Sequence, residues 1–273
     1  MSSQKDIKKL LFNEYKNRLR TRPVRKDFKS VRIRRKKIFG MKMKLSKFQK
    51  SPPWTMEDLE AALSNLKNNK SRDYEGYVNE MFKNDVIGSD LKKSLLIMFN
   101  SLKKENLIPL FMNFANVTTV PKKGSKLEPS NERGIFRVEL VRSILMRLLY
   151  NSKYPVIDKN MSDCQMGARK GKGCRSNIWI LNGIIHETLK NRNMKPVLLQ
   201  FYDYKQMFDS INLKEAISDI YEYGVNDDNL QLIYKANEKI HMAVKTPVGM
   251  ANHQDLRTPV GHMDFIIGFC TRM

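Results

Sequence analysis

Helical spacing of apolar positions dominates the chain. Leu59, Leu63 and Leu66 follow one another on a single helix face behind Thr55-Met-Glu-Asp58, a hydroxyl cap with acids in its first turn, so the pattern predicts a helix over about 56–68. Leu91, Leu95, Met98, Phe99 and Leu102 predict a second helix. Val141, Ile144, Leu145, Leu148 and Leu149 predict a third, and Ile178, Leu181, Ile184, Ile185 and Leu189 a fourth. Val117 to Val120 is a short β-branched run suited to a strand. Pro196-Val-Leu-Leu-Gln-Phe-Tyr202 reads as a buried strand, after which Leu213, Ile217, Ile220 and Tyr221 return to a helical period. The stripes are expected to be core rather than cofactor contacts, Trp179 on the fourth helix included.

Breakers and charge divide this pattern. Ser51-Pro-Pro-Trp54 cannot continue a helix, which sets the expected boundaries: a basic arm over 1–53, a body over 54–250 and a divergent tail over 251–273. The charge supports an arm. Of a formal net +22, residues 1–50 carry 19 Lys/Arg against 3 Asp/Glu, leaving only +6 for the other 223 residues. Such an excess favours a polyanionic partner, with nucleic acid the leading class. The run Arg32-Ile-Arg-Arg-Lys-Lys37 fits either a nuclear address or a solvated arm. The short echo of Lys245-Thr-Pro-Val-Gly249 in Arg257-Thr-Pro-Val-Gly261 is too brief for a structural repeat.

Cys164, Cys174 and Cys270 show neither zinc-site pairs nor a disulfide framework, so reduced thiols are expected. No run approaches the roughly 20 apolar residues of a membrane span. Nor does MSSQKDIKKL contain an apolar signal core. The expectation is an intracellular protein, in nucleus or cytoplasm or both, with no membrane partner.

Asp203 lies where the expected strand 196–202 gives way to helix. A carboxylate at the end of a buried strand is costly unless it meets a cation, which points to a metal site at a sheet edge. Asp is equally a turn residue and a helix cap, so capping stands as the alternative.

The surrounding residues Phe201-Tyr-Asp-Tyr-Lys-Gln-Met-Phe-Asp-Ser210 closely resemble the first catalytic motif of reverse transcriptases from non-LTR (LINE-type) retrotransposons. That resemblance implies that Asp203 binds Mg2+ and that Tyr204 offers a backbone carbonyl to it. It implies further that Phe208 excludes a ribose 2′-hydroxyl, favouring deoxynucleotides. Asp209 is read as a structural acid at the first helical turn. Four upstream blocks are similar to the same family in the same order. Asn68-Asn-Lys-Ser-Arg-Asp-Tyr-Glu-Gly76 looks like its opening lysine-to-Asp/Gly block, structural or template-side. Val120-Pro-Lys-Lys-Gly124 with Asn131-Glu-Arg-Gly-Ile135 resembles the fingers segment, where Lys122 or Lys123 and Arg133 would hold the incoming triphosphate. A solvated basic loop is the plain alternative, and Gly134 stands where the family often has proline. Ser162-Asp-Cys-Gln-Met-Gly-Ala-Arg-Lys-Gly171 resembles the glutamine-glycine block, so Gln165, Gly167, Arg169 and Lys170 are expected to meet nucleic acid.

The implied fold is α+β: an incomplete right-hand polymerase, fingers plus partial palm, mainly helical with a small sheet. Implied partners are an RNA template, a DNA primer and deoxynucleoside triphosphates. Polymerase chemistry needs a second strand-borne carboxylate beside the first, which the family supplies from an aromatic-x-Asp-Asp turn. No such turn occurs in these 273 residues. Asn226-Asp-Asp-Asn229 looks instead like a polar turn opening a helix, and beyond Val244-Lys-Thr-Pro-Val-Gly-Met250 the chain departs from the family. The chain alone is therefore expected to lack activity, the alternative being a basic nucleic-acid-binding remnant.

Overall fold

The computed structural model of the chain describes Asn13, Gly40 and residues 48–73, 75–83, 88–121, 131–167, 169–190, 198–202, 213–238, 240–246 and 249–250. Six α-helices lie among them: α1 Met56–Ser64, α2 Gly88–Glu105, α3 Leu140–Asn160, α4 Cys174–Lys190, α5 Leu213–Glu222 and α6 Asp228–Glu238. Four strands form one mixed sheet: β1 Phe114–Pro121, β2 Glu132–Val138, β3 His241–Thr246 and the two-residue β4 Gly249–Met250. The class is α+β.

Local chemistry explains the helix ends. Thr55 accepts from the Asp58 N–H while the Asp58 carboxylate accepts from the Thr55 N–H, a reciprocal capping box that starts α1. The helix stops at Ser64, short of the expected 68. Past it the chain offers Asn65, Asn68 and Asn69, whose side chains compete for backbone groups, and Asn69 adopts a left-handed φ of 57°. Helix α2 ends on Asn106, φ 50°, and the Leu107 N–H reaches back to the Leu102 carbonyl.

Helices α1, α2, α3 and α6 share one core, in which Leu59, Phe82, Phe99, Leu145, Leu149 and Leu232 are buried. The sheet runs in the order β2-β1-β3-β4. Strand β1 pairs antiparallel with β2, with Val117 opposite Phe136, and parallel with β3, with Val117 opposite Val244. Ala115, Val117, Ala243 and Val244 are buried in these two central strands.

A charged side chain sits inside this packing. Arg142 on α3 is 1% exposed; its guanidinium donates to the Asn113 side-chain oxygen at 2.7 Å, to the Met112 carbonyl at 3.4 Å and to the Asn237 side-chain oxygen at 3.3 Å. Asn237 in turn donates to the Ile233 carbonyl at 2.8 Å. Buried polar groups of this kind are tolerated because they satisfy one another.

The Ser51-Pro-Pro-Trp54 break falls within the packed body. Phe48 packs against the core, Gln49 forms a bridge with Asp227, and the Asp228 side chain accepts from the Ser51 N–H at 3.1 Å. Asn100 clamps Trp54 from both sides, accepting from its N–H at 2.8 Å and donating to its carbonyl at 3.0 Å. Lys103, almost fully buried, donates to the Pro52 carbonyl at 2.7 Å with its ammonium 4.5 Å from the Trp54 ring centroid. Burial lowers the Lys103 pKa.

Two expectations are overturned. The apolar stripe of α4 is not core: no residue of that helix is buried, and Trp179 is 76% exposed. Residues 198–202 are not a strand, and Leu198 is 90% exposed, with Phe201 and Tyr202 nearly as open. Helical spacing and an apolar run specify that a surface wants covering, but a strand forms only where a neighbour supplies the ladder. Residues 198–202 join no ladder of the described sheet, whose order is β2-β1-β3-β4.

Arg142→Ala should cost about 3 kcal/mol, because it leaves the Asn113 and Asn237 side-chain oxygens without these donors in the interior. Urea denaturation of the two proteins measures it, and a loss under about 1 kcal/mol would mean that the network is dispensable.

Candidate nucleotide and nucleic-acid site

Strands β1 and β2 form an antiparallel pair whose register ends with Val120 opposite Arg133 and Pro121 opposite Glu132. Lys122 and Lys123 lie outside the described residues, as does the side chain of Arg133. The pairing nonetheless brings the Arg133 backbone to the same end of the ladder from which Lys122 and Lys123 depart. Gly134 occupies the ladder opposite Thr119. A proline there would lack the backbone N–H that the ladder position offers.

Asp203, Tyr204, Phe208 and Asp209 also lie outside the described residues. Their nearest described neighbours, Phe201 and Tyr202, are exposed and in no strand. The expected buried approach to Asp203 is thus absent over 198–202. Among the described residues, no three His, Cys, Asp or Glu side chains gather into a metal-holding group.

The glutamine-glycine block is a turn riveted to the end of α3. Arg169 donates to the Asp158 carboxylate at 2.8 Å and to the backbone carbonyls of Asp158 and Ser162 at 3.1 and 2.9 Å. Its side chain is only 7% exposed. The pairing raises the Arg169 pKa and lowers that of Asp158. Tyr154 completes the rivet: its hydroxyl donates to the Asp158 carboxylate at 3.0 Å and accepts from the Lys170 N–H at 2.9 Å. Arg169 therefore positions the turn, and its guanidinium is engaged by the protein itself. Lys170 and Gln165 remain exposed on that turn, Gly167 is half-buried within it, and the Gln165 amide donates to the Gly167 carbonyl at 3.2 Å.

The block 68–76 is tied to the start of α3. Asp73 accepts from the Tyr77 N–H at 2.7 Å and from the Leu140 N–H at 3.0 Å, so it caps α3 from a distant part of the chain. Arg137 donates to the Ser71 carbonyl. Gly76 takes φ 90° in the turn between Asp73 and Tyr77, a conformation that favours glycine. Glu139, 3% exposed, lies beside Asp73 with one carboxyl oxygen unpartnered. Burial, then the Asp73 charge, pushes its pKa up to about 7. No sequence signal marked Glu139, because its environment is assembled from residues 66 positions apart.

Asp227 and Asp228 do open a helix, as the polar-turn expectation had it. Asp227 pairs with Lys153 and accepts from the Asn229 N–H at 3.2 Å, while Asp228 is bound to Ser51. A cleft of about 750 Å³ beside Asp228, lined by Phe48, Leu96, Asn100 and Lys103, carried no sequence motif either. Among the described residues, no helix is long and apolar enough to cross a membrane.

Two outcomes follow. In the unfolded chain Glu139 titrates near 4.5, and in the folded chain near 7. The folded state therefore holds the extra proton between these values. Stability should be greatest below pH 4.5 as far as this group decides, fall by about 3 kcal/mol as pH rises through 7, and level off above. Denaturation at pH 5 and pH 8 should show that difference, and Glu139→Gln should remove most of it. Separately, Arg169→Ala should free the 162–172 turn, quickening tryptic cleavage after Lys170 and Lys172 by about tenfold; unchanged cleavage would refute the riveting role. No family model matches the chain, so a functional reading has to rest on the residues themselves.

Proposed function

We propose that the chain is the fingers and early palm portion of an RNA-directed DNA polymerase of the non-LTR retrotransposon type. The observation that carries it is the run Phe201–Ser210, with acid, lysine, aromatic and second acid in the order of that family's first catalytic motif. The β1–β2 pair lends support, since its register delivers Arg133 to the end of the ladder where the Lys122-Lys123 loop begins. Two lysines that follow β1 in the sequence and an arginine in β2 are residue types that suit a triphosphate.

In this reading Asp203, with the Tyr204 carbonyl, holds Mg2+, which when bound neutralises triphosphate charge. Lys122, Lys123 and Arg133 bind the incoming deoxynucleotide, and Phe208 excludes the 2′-hydroxyl. Gln165, Gly167 and Lys170 face template or hybrid, on the turn that Arg169 fixes. A second metal-binding carboxylate has to come from outside these 273 residues, so the isolated chain binds but does not extend. The basic arm favours a second reading, a nucleic-acid-binding remnant without nucleotide recognition.

Binding of labelled dATP and of an RNA–DNA hybrid separates them. Mg2+ should strengthen dATP binding to the chain, Asp203→Ala should remove that increment, and replacing Lys122, Lys123 and Arg133 together by Ala should weaken dATP binding at least tenfold. Hybrid affinity should fall steeply with salt in either case. If dATP binding ignores both sets of substitutions while deletion of residues 1–50 abolishes hybrid binding, the remnant reading wins. Primer extension by the chain with Mg2+, abolished by Asp203→Ala, would contradict the expected inactivity.

A further inference from the structure

Three segments border the cleft of about 750 Å³ beside Asp228: residues 48–53, the second half of α2 and the start of α6. Its size lies within the roughly 300–1,000 Å³ of sites for small organic molecules. Two kinds of surface meet in it. Phe48, Pro53, Leu96 and Ile97 supply an apolar wall, with Ile97 69% exposed. Lys50, Lys103 and Lys104 line the same cleft. Against these three cations the lining holds one acid, Asp228, whose carboxylate already accepts from the Ser51 N–H and hydroxyl. Among the described residues, none of the three lysines forms an ion pair.

Lys103 makes this more than a solvated basic rim. It is buried, the Pro52 carbonyl accepts one of the three donors of its ammonium, and the Trp54 ring lies under the charge. A carbonyl and an aromatic face hold the ammonium in place, but neither carries a charge to neutralise it. A buried cation without a counter-charge is costly, and burial accordingly lowers the Lys103 pKa.

We propose that this cleft is a binding site for a small amphipathic anion, whose carboxylate or phosphate head lies among Lys103, Lys50 and Lys104 and whose apolar body covers Phe48, Leu96 and Ile97. The head supplies the counter-charge that Lys103 lacks, and the body covers the open apolar wall. A nucleic-acid strand suits the cleft less well, because it strings its charges along a polar backbone and offers nothing aliphatic to that wall. None of these residues takes part in the polymerase reading, so the two stand or fall separately.

The test uses the full 273-residue chain with Trp179→Phe, which leaves Trp54 as its only tryptophan. Octanoate is expected to change the Trp54 emission saturably, and equilibrium dialysis to find a single octanoate bound per chain. Octanol, which lacks the charge, and acetate, which lacks the body, are each expected to bind more weakly by on the order of tenfold. Octyl phosphate in place of octanoate shows which head is preferred. Lys103→Met keeps the apolar stem and is expected to weaken octanoate by about tenfold while leaving octanol unchanged, with Lys103→Arg restoring much of the loss. Because Lys103 also holds Pro52, the exposed Ile97 gives a second variant: Ile97→Asp is expected to cause a similar loss with an unchanged urea midpoint. Absence of octanoate binding would overturn the proposal, as would octanol binding as tightly as octanoate. So would octanoate binding that ignores both Lys103→Met and Ile97→Asp, which would place it on another apolar surface such as α4. Single-stranded oligonucleotide binding that Ile97→Asp weakens as much as it weakens octanoate would make nucleic acid the occupant and refute the small-molecule assignment.

Discussion

Parallel strands cannot set their own register through a tight turn, so something outside the strands must hold β1 and β3 in step. The Arg142 guanidinium does so from α3. It binds Asn113, the residue immediately before β1, and Asn237, four residues before the start of β3, across which Phe114 stands opposite His241. One rigid, planar donor group with a fixed fork fits two amide oxygens at once, which a lysine ammonium at the end of a flexible stem would not fix as well. The interior position strengthens these bonds while making each costly to lose. Everything along β1 inherits that placement, including Pro121 and the pairing that carries Arg133.

From this anchor the body divides into a well-covered part and an uncovered one. Helices α1, α2, α3 and α6 enclose a common core, and the 48–54 segment is stitched across α2 and α6 by Asn100, Lys103 and Asp228. The lysine is the telling member. Its ammonium lies in a mostly apolar setting that lowers its pKa, yet a carbonyl and the Trp54 ring keep it satisfied. Helix α4 and residues 198–202 have no such enclosure, although their sequences are as apolar as the core helices. Covering them requires surface from somewhere else, whether another copy or further chain.

What was legible in the sequence follows from the range of the interactions. The Thr55–Asp58 capping box, the α2 and α3 stripes and the strand at Val117–Val120 depend on neighbours three to five residues away, and all were readable. The buried Arg142 was not, since its partners are 29 and 95 positions distant and a lone arginine in a helix ordinarily faces water. Glu139 and Lys103 were missed for the same reason. The errors at α4 and at 198–202 run the other way. Apolar periodicity there was read correctly, but burial is a property of the surface that meets it. At the candidate site, Gln165, Gly167 and Lys170 fall on one turn, while Arg169, the side chain there best suited to bind phosphate, has its guanidinium committed to the Asp158 carboxylate and to the carbonyls of Asp158, Ser162 and Gln165.

The conspicuous acids show why the polymerase proposal turns on so few atoms. A carboxylate is free for metal only if nothing else in the fold has engaged it. Asp158 is held by Arg169, Asp227 by Lys153, and Asp228 by Ser51. Asp73 accepts two backbone N–H groups, and burial, then the Asp73 charge, pushes the pKa of its neighbour Glu139 up to about 7. Each of these acids stabilises a join between segments: the turn after α3, the 48–54 strap, the start of α3. Withdrawing any one to serve a cation would loosen the frame that positions the β1–β2 hairpin. A catalytic carboxylate therefore has to stand apart from this framework, on a segment whose sequence calls for a buried strand but whose described approach, 198–202, has no ladder partner. In the proposed reading that residue is Asp203, and a neighbour for the segment that precedes it is the physical condition on which metal-dependent chemistry would depend.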